Sequence, residues 1–386
     1  MLKRTVPLML AVLCALVLVS AASAARGMKL GIYDSAQAVG NTNQAFTQFS
    51  ELRAQVVRVT LNWRDVAPTK PAFGTFADPA SSSYKWWKQG VYDYDYVVRA
   101  AAARNIRVMF TILYTPAWAG GGTKGQLVPN TMMSPLRAFA KAAATRYSGA
   151  YIPPGASTPL PRVRYWTAWN EPNAPNFLRP QYMRLNGRTV IWSARQYAKM
   201  CTAVFRGIHA GEVSTGKVAC GVTNPGGNNH ARGSRGAPSP LPFIRAMKAG
   251  RPKFDVFAHH PYPSSRFESP TKPPSSKVRI TLGNLGVLIR ELNRLGWGSK
   301  RVWLTEYGYQ TKPPDGRFGV TPTRQAAYLR QSYKIARANR RVDMFVWFLL
   351  KDELELGRWQ SGLIWTFPSR DGRKKPSYAA FKALRG

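Results

Sequence analysis

Two glutamates stand in settings that paired-carboxylate chemistry requires. Glu171 lies in Trp166-Thr167-Ala168-Trp169-Asn170-Glu171-Pro172-Asn173, and Glu306 in Val302-Trp303-Leu304-Thr305-Glu306-Tyr307-Gly308-Tyr309. Each follows a short stretch of β-branched and aromatic residues and is followed closely by Pro or Gly. Each therefore reads as a carboxylate at the C-terminal end of a strand, where a loop begins. The chain has only eight Glu in 386 residues, so two in this setting, 135 positions apart, are taken together. Carboxyl groups facing each other across a cleft can split a glycosidic bond: one protonates the leaving oxygen and the other attacks the anomeric carbon. The plainer assignment, a helix-capping acid and a surface acid, accounts for each residue singly but not for the shared setting.

Positioning two such strand ends calls for a sheet whose strands point the same way. Eight apolar runs read as strands: residues 28–33, 56–61, 106–113, 163–169, 217–222, 254–259, 302–306 and 344–349. Helical patterns separate them, clearest at 92–104, 135–147, 194–210, 282–295 and 323–338, with Asn130-Thr131 and Thr321-Pro322-Thr323 as helix starts. Strands alternating with helices argue for a parallel sheet. Eight units with both acids at strand C-termini favour a single (β/α)8 TIM barrel with extended loops on the C-terminal face of the strands, where such a fold builds its site. The Gly- and Pro-rich stretches 120–125, 224–240 and 263–276 are placed on that rim as walls of a cleft, the alternative being surface insertions.

Residues 1–24 read as a secretory signal peptide: Lys3 and Arg4, an apolar run over 6–19, then the small-residue site Ala22-Ser23-Ala24. The barrel is assigned to residues 25–386. No later run is long and uncharged enough to span a membrane, so an exported, secreted monomer is expected. The two remaining cysteines, Cys201 and Cys220, could pair across a helix and the next strand or stay as separate buried thiols. They form no ligand spacing with His209, His230, His259 or His260, so no metal and no cofactor are expected. The 56 Lys+Arg against 18 Asp+Glu, a formal +38, would draw polyanions such as acidic glycans. The charges are dispersed, with no basic tail or RNA-binding signature, so specific nucleic-acid binding is not expected.

The chain resembles glycoside hydrolase clan A, the retaining β/α-barrel glycosidases, nearest family 5 (cellulase-like) or family 39. Asn170-Glu171-Pro172 is similar to the strand-four motif carrying the acid/base. Leu304-Thr305-Glu306-Tyr307-Gly308 is similar to the strand-seven nucleophile. Arg58-Val59-Thr60-Leu61-Asn62-Trp63 resembles the strand-two arginine with its downstream Trp. His260-Pro261-Tyr262 resembles the strand-six His-x-Tyr, Trp347 the strand-eight aromatic, and Lys375-Pro376-Ser377-Tyr378-Ala379-Ala380-Phe381 the closing-helix ending. The resemblance implies a carbohydrate substrate, Glu171 as acid/base and Glu306 as nucleophile. Arg58, Asn170, His260 and Tyr262 would serve the site, with Trp347 under the sugar and Trp118 at a neighbouring subsite, the alternative for both indoles being barrel or rim packing. Glu171 should be raised in pKa by an apolar surround and the charge of Glu306, while Arg58 and Tyr262 keep Glu306 ionised. Asp352 and Glu353 could contribute to substrate binding or be solvated loop acids, and the second is favoured. Two other readings compete: a barrel that binds glycan without cutting it, and a basic polyanion-binding surface protein. Sugar, linkage, internal or terminal cleavage, and hydrolysis against transglycosylation stay open, because those depend on rim loops.

Overall fold

The computed structural model describes residues 27–121, 132–211, 215–231 and 236–385. The expected signal peptide, the helix start at Asn130-Thr131 and parts of the first two rim loops lie outside the described residues. All eight expected strands form: β1 (Lys29–Tyr33), β2 (Val56–Asn62), β3 (Arg107–Leu113), β4 (Tyr165–Ala168), β5 (Lys217–Thr223), β6 (Val256–His259), β7 (Val302–Tyr307) and β8 (Val342–Phe348). Each pairs in parallel with its sequence neighbours, and β8 closes on β1 with Ile32 opposite Trp347. The chain is thus a closed (β/α)8 barrel. No helix among the described residues is long and apolar enough to cross a membrane.

The two-residue period of a strand sorts side chains between two cores. Val56, Met109, Ala219, Val256, Ala258, Trp303, Met344 and Val346 pack together inside the barrel. Their alternates Val57, Val59, Phe110, Ile112, Leu304, Phe345 and Trp347 join the larger cluster between strands and helices. One step further along the inward face the residues turn polar: Arg58, Thr111, Thr167 and Thr305 are all fully buried. The apolar plug therefore carries a polar layer directly beneath the site.

Local chemistry starts the helices after the chain leaves the C-terminal ends of the strands. Thr321 accepts a hydrogen bond from the Arg324 amide, with Pro322 opening Pro322–Ala338. Asp93 caps Tyr94–Ala102 through the Tyr96 amide. The cysteine alternatives resolve in favour of pairing: Cys201, on helix Trp192–Ala210, is disulfide-bonded to Cys220 on β5.

The loop after β8 departs from expectation at Asp352, which is not a solvated acid. It is 3 % exposed, and its Oδ1 accepts from Lys375 Nζ at 2.7 Å and from the Gly362 amide at 2.8 Å. Lys375 also donates to Thr311 Oγ1 and the Gln360 carbonyl. The lysine of the closing-helix ending thus pins the rim segment 352–362 from below. Burial pushes the Asp352 carboxyl up to about 6 and Lys375 down to about 8. Lys375→Met strands a buried carboxylate, and equilibrium unfolding at pH 7 should show a loss of about 3–5 kcal/mol. That loss should shrink at acid pH, where Asp352 takes up a proton. An unchanged loss at low pH would exclude the unpaired charge as its cause.

Candidate active site

Strands β2, β4, β6 and β7 deliver four ionisable side chains to one point at the C-terminal mouth. Glu171, His260 and Glu306 each place one ligating atom within 4.8 Å of the others, so a carboxyl oxygen of Glu171 and one of Glu306 are no farther apart than that. The backbone around Glu171 is strained to achieve this. Trp169 and Glu171 have φ of 68° and 37°, and β-branched Val222, whose carbonyl accepts from the Glu171 amide, has φ of 44°. Such conformations cost of order 1–3 kcal/mol each and persist where the surrounding structure over-determines them.

Arg58 organises the floor. Its Nη1 donates to Glu306 Oε1 at 2.6 Å and to the Thr305 carbonyl at 3.2 Å, its Nε to Thr111 Oγ1 at 2.8 Å, and its Nη2 to Asn170 Oδ1 at 2.7 Å. Its carbon lies 4.4 Å from the Tyr33 ring centroid. A buried guanidinium with this many partners is both a structural pair and a fixed positive charge against Glu306. The contact with Asn170 Oδ1 makes the Nδ2 amide the group Asn170 offers to the cleft. The Tyr262 hydroxyl donates to Glu306 Oε2 at 3.2 Å, and burial holds that phenol well above its usual range, so it stays a donor.

His260 links the two carboxylates. Burial pushes its imidazole down to about 3, so it is neutral. Nε2 lies 3.4 Å from Arg58 Nη1, which can only donate, and 3.0 Å from Thr305 Oγ1. Nε2 is therefore the acceptor, and Nδ1–H donates to Glu171 Oε1 at 2.9 Å. His259 faces away, with Nδ1 2.8 Å from Thr223 Oγ1 and Nε2 3.0 Å from the Ile280 carbonyl.

Glu171 is raised to about 6, as expected, but burial is the cause rather than the charge of Glu306. Arg58 at contact distance cancels much of that charge and itself pulls the Glu171 carboxyl down. A second restraining group was not read from the sequence. Asn224 Nδ2 donates to Glu171 Oε2 at 3.0 Å. Asn173 holds Asn224 in place: its Oδ1 accepts from the Asn224 amide, and its Nδ2 lies 3.2 Å from the Asn224, Gly226 and Pro238 carbonyls. The Asn-Pro-Gly-Gly turn after β5 was the available signal.

The Glu171, His260 and Glu306 donor set does not suit a divalent cation. Arg58 is hydrogen-bonded to one carboxylate, and the His260 nitrogen that faces the centre carries the proton.

The acids open into a cavity of about 700 Å³ lined by Asn170, Tyr262, Asn224 and a set of aromatic rings. Trp347 and Trp118, expected there, do not line it. Trp347 is fully buried on the helix side of β8, its indole N–H donating to the Ser361 carbonyl. The strand period explains this, because Val346 faces inward and its inward neighbour is Phe348, which does line the cavity. Trp118 donates to the Ala67 carbonyl at 2.8 Å and packs edge-on against Trp63 and Phe76. The exposed ring at the acids is instead Trp359, whose centroid lies 5.0 Å from that of Tyr262 and 5.5 Å from that of Phe348. Its amide donates to Glu353 Oε2, so this acid also has a structural contact.

A family described as of unknown function (DUF5722) matches residues 243–385, a span that holds His260, Tyr262 and Glu306 but not Glu171. No curated protein matches the sequence. Among solved structures, the chain is similar to a family 39 glycoside hydrolase from Bacteroides cellulosilyticus WH2. The identity is 18 % and the TM-score 0.60, over 92 % of this chain and 62 % of that one. The chain thus spans less than two thirds of that protein. A GH39 enzyme from Xanthomonas axonopodis pv. citri is also 18 % identical, with TM-score 0.58 over 95 % of this chain and 69 % of that one. A family 1 β-glucosidase from Thermotoga maritima is 13 % identical, with TM-score 0.55 over 93 % and 99 %. All three belong to clan A, the group that the Asn-Glu-Pro and Thr-Glu residues resemble. At these identities the likeness is one of fold.

Proposed function

We propose that the chain is an exported, monomeric glycoside hydrolase that cleaves β-O-glycosidic bonds in an oligo- or polysaccharide with retention of configuration. The observation that carries this is the approach of a Glu171 and a Glu306 carboxyl oxygen to within 4.8 Å across one cavity, with Glu171 raised to about 6. Retaining enzymes hold the pair about 5–5.5 Å apart, whereas inverting ones leave about 6.5–9.5 Å for a water.

In the first step Glu306 attacks the anomeric carbon as the glycosidic bond breaks, and Glu171 gives its proton to the leaving oxygen. We assign the attack to Oε2, held by the 3.2 Å Tyr262 hydroxyl, since Oε1 is tied to Arg58 at 2.6 Å. In the second step Glu171, now a carboxylate steadied by His260 Nδ1–H and Asn224, takes a proton from water. That water displaces the sugar from Glu306 and frees it with its original configuration. Asn170 Nδ2 is suited to the sugar 2-hydroxyl, a contact that strengthens as the ring becomes oxocarbenium-like. Trp359 and Phe348 take the role expected of Trp347, presenting apolar faces to the ring. Export rests on the N-terminal apolar run and its Ala22-Ser23-Ala24 site.

The test is digestion of a panel of neutral and acidic β-glycans, with product anomers read by NMR before mutarotation. Cleavage with β products first is expected. Initial α products would sink the retaining mechanism, and binding without cleavage would favour the non-catalytic barrel.

A further inference from the structure

The aromatic cavity contains a cation that the mechanism does not use. Arg279 lines it on the Glu171 side, where its guanidinium lies against Gly226. A Cβ at Gly226 would fall 2.4 Å from Arg279 Nη1, so only glycine permits this approach. Gly226 donates to Asn224 Oδ1, the residue whose amide holds Glu171, which places the guanidinium two residues from a group touching the acid. The main chain around Arg279 is anchored: Ile280 N donates to the Pro225 carbonyl, and Asn284 Nδ2 to the Arg279 carbonyl.

Its side chain, by contrast, has no acceptor among the described residues. Among the described residues, Arg279 Nε is buried without a hydrogen-bond partner. Glu268 is the neighbouring carboxylate and favours the charge, but it is taken up by the Ser264 and Ser275 amides. Burial draws the guanidinium below its usual pKa. Arg266 adds a second charge to the wall, with Nη1 donating to the Gly316 carbonyl at 2.7 Å. The acids that line the cavity among the described residues are Glu171 and Glu306. Arg58 and Glu306, the buried ions of the reacting centre, are paired, as buried charges must be. Arg279 is half-buried, with its Nε shielded and unpartnered among the described residues, and a neutral sugar offers it no counter-charge.

We infer that this cleft takes a glycan bearing an anion, a uronate carboxylate or a sulfate ester, which Arg279 receives through paired N–H donors. A planar fork of donors matches either oxyanion, and the +38 chain would concentrate such polymers at its surface. The inference rests on the proposed glycan site but not on its catalysis.

The test is calorimetric titration at fixed ionic strength of the full-length Glu306→Ala protein, which leaves ligands uncut. The probes are β-linked oligosaccharides in three matched forms: uronate-containing, carboxyl-reduced, and sulfated on a neutral backbone. One anionic form should bind about tenfold or more tighter than its neutral counterpart. Which anionic form wins identifies the oxyanion. Adding Arg279→Gln should erase the preference while leaving neutral binding unchanged and Tm no lower, and Arg279→Lys should retain part of it. Equal binding of neutral and anionic forms, a preference that survives Arg279→Gln, or no binding by any anionic probe overturns the inference. Anion-dependent binding without cleavage by the wild-type protein would instead overturn the proposed catalysis and leave this inference standing.

Discussion

Glu306→Ala is expected to lower kcat/KM by at least about 10³-fold while leaving glycan affinity within about threefold. The expectation rests on how the carboxylate is held. Arg58 at 2.6 Å and the Tyr262 hydroxyl at 3.2 Å hold it in place, and at 7 % exposure it lies at the cavity floor, away from the rim. In the proposed mechanism, removing it deletes the bond-forming atom and leaves the Trp359 and Phe348 surfaces intact. Steady-state kinetics beside calorimetry separates the two effects. Because Arg58 would be left as an unpaired buried charge, Glu306→Gln is the companion variant, keeping an oxygen for the guanidinium. If both variants retain turnover near the wild-type level, Glu306 is not the nucleophile. Azide supplied to Glu306→Ala should restore cleavage of activated aryl glycosides with an inverted glycosyl azide as product, which a merely structural role would not yield.

Glu171→Ala should cost about 10²–10⁴-fold on glycans, whose alcohol leaving groups need a proton, and far less on activated aryl glycosides. Equal losses on the two substrate types would refute the acid assignment. The pH profile supplies a second reading. As the proposed acid, Glu171 has to be protonated when substrate arrives, so kcat/KM should fall as pH rises through about 6. That limb should vanish in Glu171→Ala. In Asn224→Ala it should move to higher pH, since a donor that stabilises the carboxylate has gone. The same shift has a stability consequence. The folded-state pKa is raised from 4.5 to about 6, so the folded protein holds this proton more tightly than the unfolded chain. The contribution is present in full below 4.5 and is lost as pH rises through 6, amounting to about 2 kcal/mol. Glu171→Gln should therefore be more stable than wild type at pH 7, and catalysis would be the reason for keeping the acid.

How much of this was legible in the sequence depends on the range of the interaction involved. All eight strands were readable because β-branched runs between turn residues report a local preference that the barrel also demands. Glu171 and Glu306 were readable because each sits in a short motif. The register of β8 was not. Trp347 and Phe348 are adjacent large aromatics, and nothing local says which one faces inward; pairing with β1 and the inward position of Val346 settle it. Asp352 looked like a loop acid because its partner Lys375 is 23 positions away and meets it only when the last helix packs against the rim.

By itself the sequence determined the alternation of strand and helix, the two acids at strand ends, and the residues Arg58, Asn170, His260 and Tyr262 beside them. Those are properties of single segments, set by side-chain type and period. Tertiary structure alone decided what surrounds the acids. It brought Asn224 to Glu171, put Trp359 over the cleft, turned Trp118 and Trp347 into packing, and left Arg279 in the wall with its Nε unpartnered among the described residues. Each of these joins groups from separate segments, and such a contact has an energy only once barrel closure has made them neighbours.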